Sequence, residues 1–144
     1  MNLVVGHDGH PASDAALAVA TDLATRLGAH LHVVHCVTVE DFGVDPDTEQ
    51  FESEGDRSIA RERDTIEAAL DGAAVTWTYH EERGNPSARL AAVGEAVDAL
   101  FIVVGATHRG MVPALTGGSV SRRLLHLQHR PVLVVPEPGA AAQT

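Results

Sequence analysis

Lysine is absent from the sequence, and all 10 basic residues are arginine. That excludes a P-loop, which needs a lysine after its second glycine. Asp and Glu outnumber the arginines 20 to 10, for a formal net charge of −10. A surface of that sign repels nucleic acid and anionic membranes, so neither is expected as a partner. An acidic, lysine-free composition also suits a halophile, because salt screens self-repulsion; GC-rich coding replaces Lys with Arg equally well. Cysteine occurs once, as Cys36, so an intrachain disulfide is excluded and a reducing cytoplasm is favoured. Its place in an apolar run reads as a core position. No apolar run approaches the roughly 20 residues of a membrane span. The N-terminal MNLVVGHDG lacks the basic and apolar regions of a signal peptide. The expectation is a soluble, cytoplasmic protein.

What is present is enough for one ordinary domain: 144 residues, 44% of them hydrophobic. Short β-branched runs alternate with segments of helical period. Asn2 to Gly6 reads as a buried strand. Pro11 opens a helix whose apolar positions Ala16, Leu17, Ala20, Leu23, Ala24 and Leu27 recur at helical spacing before Gly28 stops it. His30 to Val37 is a second strand. A polar loop with Gly43 and Pro46 leads to a charged helix starting at Asp47 or Thr48 and ending near Leu70. Its apolar side is Ile59, Ile66, Ala69 and Leu70. Ala74 to His80 alternates as a third strand, and Glu81 to Asn85 is a loop. Pro86 and Ser87 open a third helix. Leu100 to Val104 is a fourth strand, a helix from Ser119 ends near Gln128, and Val132 to Val135 is a fifth strand. Residues 1–136 form the domain, and Glu137 to Thr144 a loose tail.

The stretch from Val103 to Ser121 organises the rest. A strand ends at Gly105, a loop carries His108, Arg109, Gly110, Gly117 and Gly118, and Ser119 caps a helix. A helix start offers free N–H groups and partial positive charge, which favour phosphate, and Arg109 adds a forked donor. Equally, the glycines can serve as turns and Ser119 as a plain cap. Alternating strands and helices, with apolar first, fourth and fifth strands, predict a parallel sheet covered on both faces. Right-handed crossovers give the order 3-2-1-4-5. Ligands of such sheets bind at the carboxyl ends where the order reverses, between strands 1 and 4. His7-Asp8-Gly9 follows strand 1 and Gly105 follows strand 4, so two loops converge on one crevice.

From Met1 to Pro136 the chain resembles the universal stress proteins of the single-domain kind. Val5-Gly6-His7-Asp8-Gly9-His10 is similar to the family's V-G-x-D-G-S. Gly105, Gly118 and Ser119 match its G-x2-G-x9-G-[ST] signature, with His108 where the second glycine belongs. Arg130-Pro131-Val132-Leu133-Val134-Val135 also matches closely. The resemblance implies an adenine-nucleotide alpha hydrolase-like, Rossmann-like fold that binds ATP or another adenine nucleotide, with Mg2+ carried by the nucleotide. It places Asp8 by the adenine or ribose, and Val37 along the adenine. It places Gly105, His108, Arg109, Gly118, Ser119 and Val120 on ribose and phosphates. It also implies a homodimer through the edge strand Pro131 to Val135. His108 adds a Cβ where phosphate approaches backbone, and His10 removes a small hydroxyl.

Nine histidines raise the question of metal. His30 and His32 share one strand face and His35 the other, which reads as half-buried or solvent-facing groups. His126 and His129 sit near a helix end, where a cation is favoured. His7, His10 and, with Gly9, His108 gather by the crevice, where protonated rings meet phosphate. No protein-only metal site is read from any of them. The expected function is a stress-response nucleotide-binding module, with slow ATP hydrolysis at most. The alternatives are a dimeric interaction protein with an empty crevice, and a phosphohydrolase or nucleotidyl transferase using His108.

Overall fold

The computed structural model describes residues 1–37, 49–106 and 119–138, excepting the side chains of 49–56 and 119. Among them the chain runs β1 (Asn2–Gly6), α1 (Pro11–Leu27), β2 (His30–Val37), α2 (Glu49–Leu70), β3 (Trp77–Arg83), α3 (Pro86–Ala96), β4 (Ile102–Gly105), α4 (Ser119–Leu127) and β5 (Val132–Val135). The strands form one parallel sheet in the order β3-β2-β1-β4-β5. This is the architecture expected from the alternating pattern.

Alternation along the strands splits the core in two. Leu3, Val5, Leu31, Val33 and Val103 face α1 and α2, where Ala16, Leu17, Ala20, Ile66 and Leu70 cover them. Val4, Val34, Ile102 and Val104 face α3 and α4, under Leu90, Val93 and Leu124. Pro11 starts α1, and Gly28 ends it at φ 64, in the left-handed region glycine adopts freely. Asn85 caps α3 by accepting from the Ala88 N–H at 3.1 Å.

Several boundaries and exposures differ from expectation. β4 begins at Ile102, two residues later than its apolar run predicts, leaving Leu100 exposed; Leu27 at the end of α1 is exposed, and His32 and His35 are buried within the covered sheet. β3 begins three residues later than its alternation predicts and continues through Glu81, Glu82 and Arg83, because the eight-residue β2 offers backbone partners out to Val37↔Arg83. β3 is an edge strand, where outward charged side chains are tolerated and discourage further pairing. Ala69 is exposed, so the buried stripe of α2 runs through Ile66 and Leu70 without it. Cys36 is half-buried against the α3–α4 core instead of lying inside it.

At the amino end of the sheet Arg130 fastens β5 to the turn after α3. Its guanidinium donates to Ala99 O at 2.9 Å, Glu95 at 2.7 Å and Asp98 at 3.1 Å. Among the described residues no helix is long and apolar enough to cross a membrane.

Candidate functional site

The β1–α1 loop stands at the carboxyl end of β1, where the strand order reverses. Asp8 Oδ1 accepts from the His10 N–H at 3.0 Å, an Asx-type turn that holds Gly9 at φ 81. The Asp8 carboxylate is exposed at the crevice. His10 caps α1 through its backbone: its carbonyl accepts from the Ser13 N–H and, at 2.8 Å, from the Ser13 hydroxyl. That hydroxyl also accepts from the Asp8 N–H at 3.2 Å.

Across the crevice β4 ends at Gly105, and the Ala106 N–H donates to Val135 O at 2.7 Å. A Cβ on Gly105 would lie 2.4 Å from Ala12 O, so the first turn of α1 rests directly on the end of β4. Val37 is buried at the end of β2. α4 begins at Ser119, and the buried Ser87 of α3 reaches Val120 O at 3.5 Å, tying the two helix starts together. Asp8, Gly105, Val37 and Val120 therefore lie at the carboxyl end of the sheet. His108, Arg109, Gly110, Gly117 and Gly118 lie outside the described residues.

His7 is placed differently from the crevice group expected of it. Its ring is fully enclosed, with a carboxylate at each nitrogen: Asp14 of α1 at 2.7 Å from Nε2, and Glu62 of α2 at Nδ1. Ionised carboxylates only accept, so the ring satisfies both of them only as an imidazolium, donating from each nitrogen. Burial pushes it down. Glu62 first and Asp14 second outweigh that and hold it above the ordinary histidine value. The His35 Nδ1–H donates to the His7 carbonyl at 3.0 Å and stands 3.6 Å from Glu62. Glu62 was not anticipated from its charged surroundings. Its signal is spacing: Glu62, Ile66 and Leu70 fall at i, i+4 and i+8, one stripe of α2 facing the core.

A second histidine group lies on the α3–α4 face of β2 and β3. The Asn2 amide donates to Val97 O at 2.8 Å, which turns its Oδ1 toward His32 Nε2 at 3.1 Å. Nε2 therefore carries the proton, and Nδ1 is left to accept from His80 Nε2 at 2.8 Å. His30 bonds Thr76 and Thr78, each at 2.7 Å. Among the described residues no three such groups are arranged to hold a metal. Burial, then the charges of His80 and His30, pushes His32 down to about 4.

The two histidines give opposite pH slopes. His32 binds its proton more readily unfolded, so stability falls as pH drops from about 6.5 toward 4. His7 binds its proton more readily folded, so its contribution is present below about 6.5 and is lost as pH rises through its raised value. Urea unfolding is expected to place a stability maximum near neutrality, and His32→Gln should flatten the acid limb alone. An unchanged acid limb would mean that His32 is protonated in the fold.

A concavity of about 350 Å3, bounded by Met1, Asn2, Asp98, Leu100 and Arg130, lies at the amino ends of the strands. That is the opposite end from where sheets of this order bind ligands. The described geometry defines a doubly wound α/β domain with its crevice between β1 and β4. The chain belongs to the universal stress protein family, whose sequence pattern matches residues 1–136. It is 34% identical over 136 residues to a universal stress protein of Mycobacterium tuberculosis, covering 92% of this chain and 44% of that relative. It thus spans less than half of the curated relatives it matches. A universal stress family protein from Burkholderia pseudomallei superimposes with a TM-score of 0.70 at 24% identity, covering 94% of this chain and 95% of that one. The universal stress protein from Archaeoglobus fulgidus in complex with dAMP gives 0.68 at 20% identity, covering 94% and 97%.

Proposed function

We propose that this chain is an adenine-nucleotide-binding regulatory module of the stress response, with its ligand at the carboxyl ends of β1 and β4. The observation that carries the reading is Asp8: an exposed carboxylate, fixed by its own turn, at the point where strand order reverses. Such a carboxylate accepts from ribose hydroxyls or the adenine amine, and the buried Val37 supplies an apolar wall. Gly105, Ser119 and Val120, with His108, Arg109 and Gly118, take the ribose and phosphates, and Mg2+ arrives on the nucleotide. The dAMP complex of the Archaeoglobus relative favours an adenine nucleotide over other anions. With Asp8 at the nucleoside end, far from the transferred phosphate, hydrolysis is slow at most.

Calorimetric titration of ATP into nucleotide-free protein, with and without Mg2+, tests this. Micromolar binding is expected, weakened about tenfold or more by Asp8→Ala, as loss of a charge-assisted hydrogen bond implies. His108→Gly is expected to tighten binding; turnover abolished by that change would mark an enzyme instead. β5 is an edge strand with Leu133 and Val134 exposed, which favours a homodimer through Pro131–Val135. A dimer mass for the same sample without ATP binding would select an interaction protein working through its dimer. A monomer mass at every concentration would rule the dimer out.

A further inference from the structure

We propose that Glu62 is a positioning residue for the Asp8 loop, acting through the enclosed His7 ring to link α2 to the crevice. The proposal rests on the nucleotide reading of that crevice. Three observations carry it. Glu62 lies on the stripe that α2 buries, with its side chain 10% exposed. One of its oxygens bonds His7, the residue directly before Asp8. Its other oxygen lies 3.0 Å from where a Cβ on Gly9 would stand, so the same carboxylate underlies the residue directly after Asp8. Asp8 is thus flanked on both sides by neighbours seated on one carboxylate. The carbonyl of His7 is held in turn by His35 from β2.

The groups facing the His7 ring are Asp14 from α1, Glu62 from α2 and, beside Glu62, His35 from β2. Deprotonating His7 removes one of its two donated hydrogen bonds, because a neutral imidazole has a single N–H. The clamp then holds at one side only, and the loop that carries the Asp8 turn sits less firmly on α1 and α2. Ligand affinity should therefore fall as pH rises through the His7 titration, and Glu62 should set where that fall occurs.

The test is calorimetric titration of ATP and of adenosine from pH 6 to 9. Adenosine has no phosphate to titrate, so an inflection common to both ligands belongs to the protein. Wild type should lose about tenfold in affinity across the inflection, the size expected of one charge-assisted hydrogen bond. Glu62→Gln should bind about tenfold more weakly at neutral pH, with the inflection moved to lower pH. Leu70→Ala, which loosens α2 without touching His7, should lower stability and leave the inflection in place. Wild-type affinity and inflection in Glu62→Gln would overturn the proposal, as would an equal shift in Leu70→Ala. If wild type binds neither ligand at any pH, the nucleotide reading fails, and amide NMR shifts of Asp8, Gly9 and His10 decide the positioning role. Shifts that follow the His7 ring in wild type and not in Glu62→Gln support it; shifts independent of the ring overturn it.

Discussion

Replacing His7 with alanine is expected to cost about 3–5 kcal/mol of folding stability at neutral pH, the penalty for leaving a buried charge without its partner. The loss falls on Glu62, whose side chain is only 10% exposed. Asp14 is 58% exposed and rehydrates in place, so its bond to His7 contributes less. Urea unfolding followed by circular dichroism reads the effect as a lowered midpoint. The double variant His7→Leu/Glu62→Leu should recover most of the loss, because apolar replacement of a whole buried pair is close to neutral. A cost of His7→Ala below about 1 kcal/mol would mean that water enters and solvates Glu62, as at an exposed pair.

The legible parts of this molecule were those governed by period. Leu3, Val4 and Val5 are apolar on both faces and turned out buried on both. From such runs, and from right-handed crossovers, the parallel sheet and its order followed. Pro11 and Gly28 bounded α1 as their backbone preferences require. The end of β3 was not legible, because Glu81-Glu82-Arg83 are in a strand only by virtue of pairing with β2, a non-local cause. His7 was seen as part of the crevice group but not as enclosed, since its partners lie 7 and 55 residues away. Glu62 was hidden for a related reason. In a helix rich in Arg and Glu one more carboxylate looks solvated, and only its register with Ile66 and Leu70 marks it as inward. Of the crevice itself, the β1 loop and the end of β4 could be placed from sequence. The stretch with His108 and Arg109 lies outside the described residues.

Gly105→Ala is expected to cost about 3 kcal/mol, the upper end of the range for overpacking a filled site. The added Cβ would fall 2.4 Å from Ala12 O, 2.5 Å from Ala12 C and 2.9 Å from Ser13 N. All three are backbone atoms of Ala12 and Ser13, the buried residues of that turn, so no side-chain rotation relieves the clash. Either α1 lifts from the sheet or β4 bends away. Both movements disturb the crevice, because the same turn of α1 carries the Ser13 hydroxyl that accepts from the Asp8 N–H. The glycine therefore has a steric duty independent of any ligand: it lets the first turn of α1 reach β4 and brings the β1 and β4 loops together. Unfolding measured without nucleotide separates the two duties. A loss of about 3 kcal/mol in nucleotide-free protein assigns the glycine to packing, with weakened ATP binding as its consequence. Wild-type stability with ATP binding lost would mean that α1 yields readily and that Gly105 matters for the ligand alone. Because the clash is between backbones in a core packed at crystal-like density, the first outcome is the expected one.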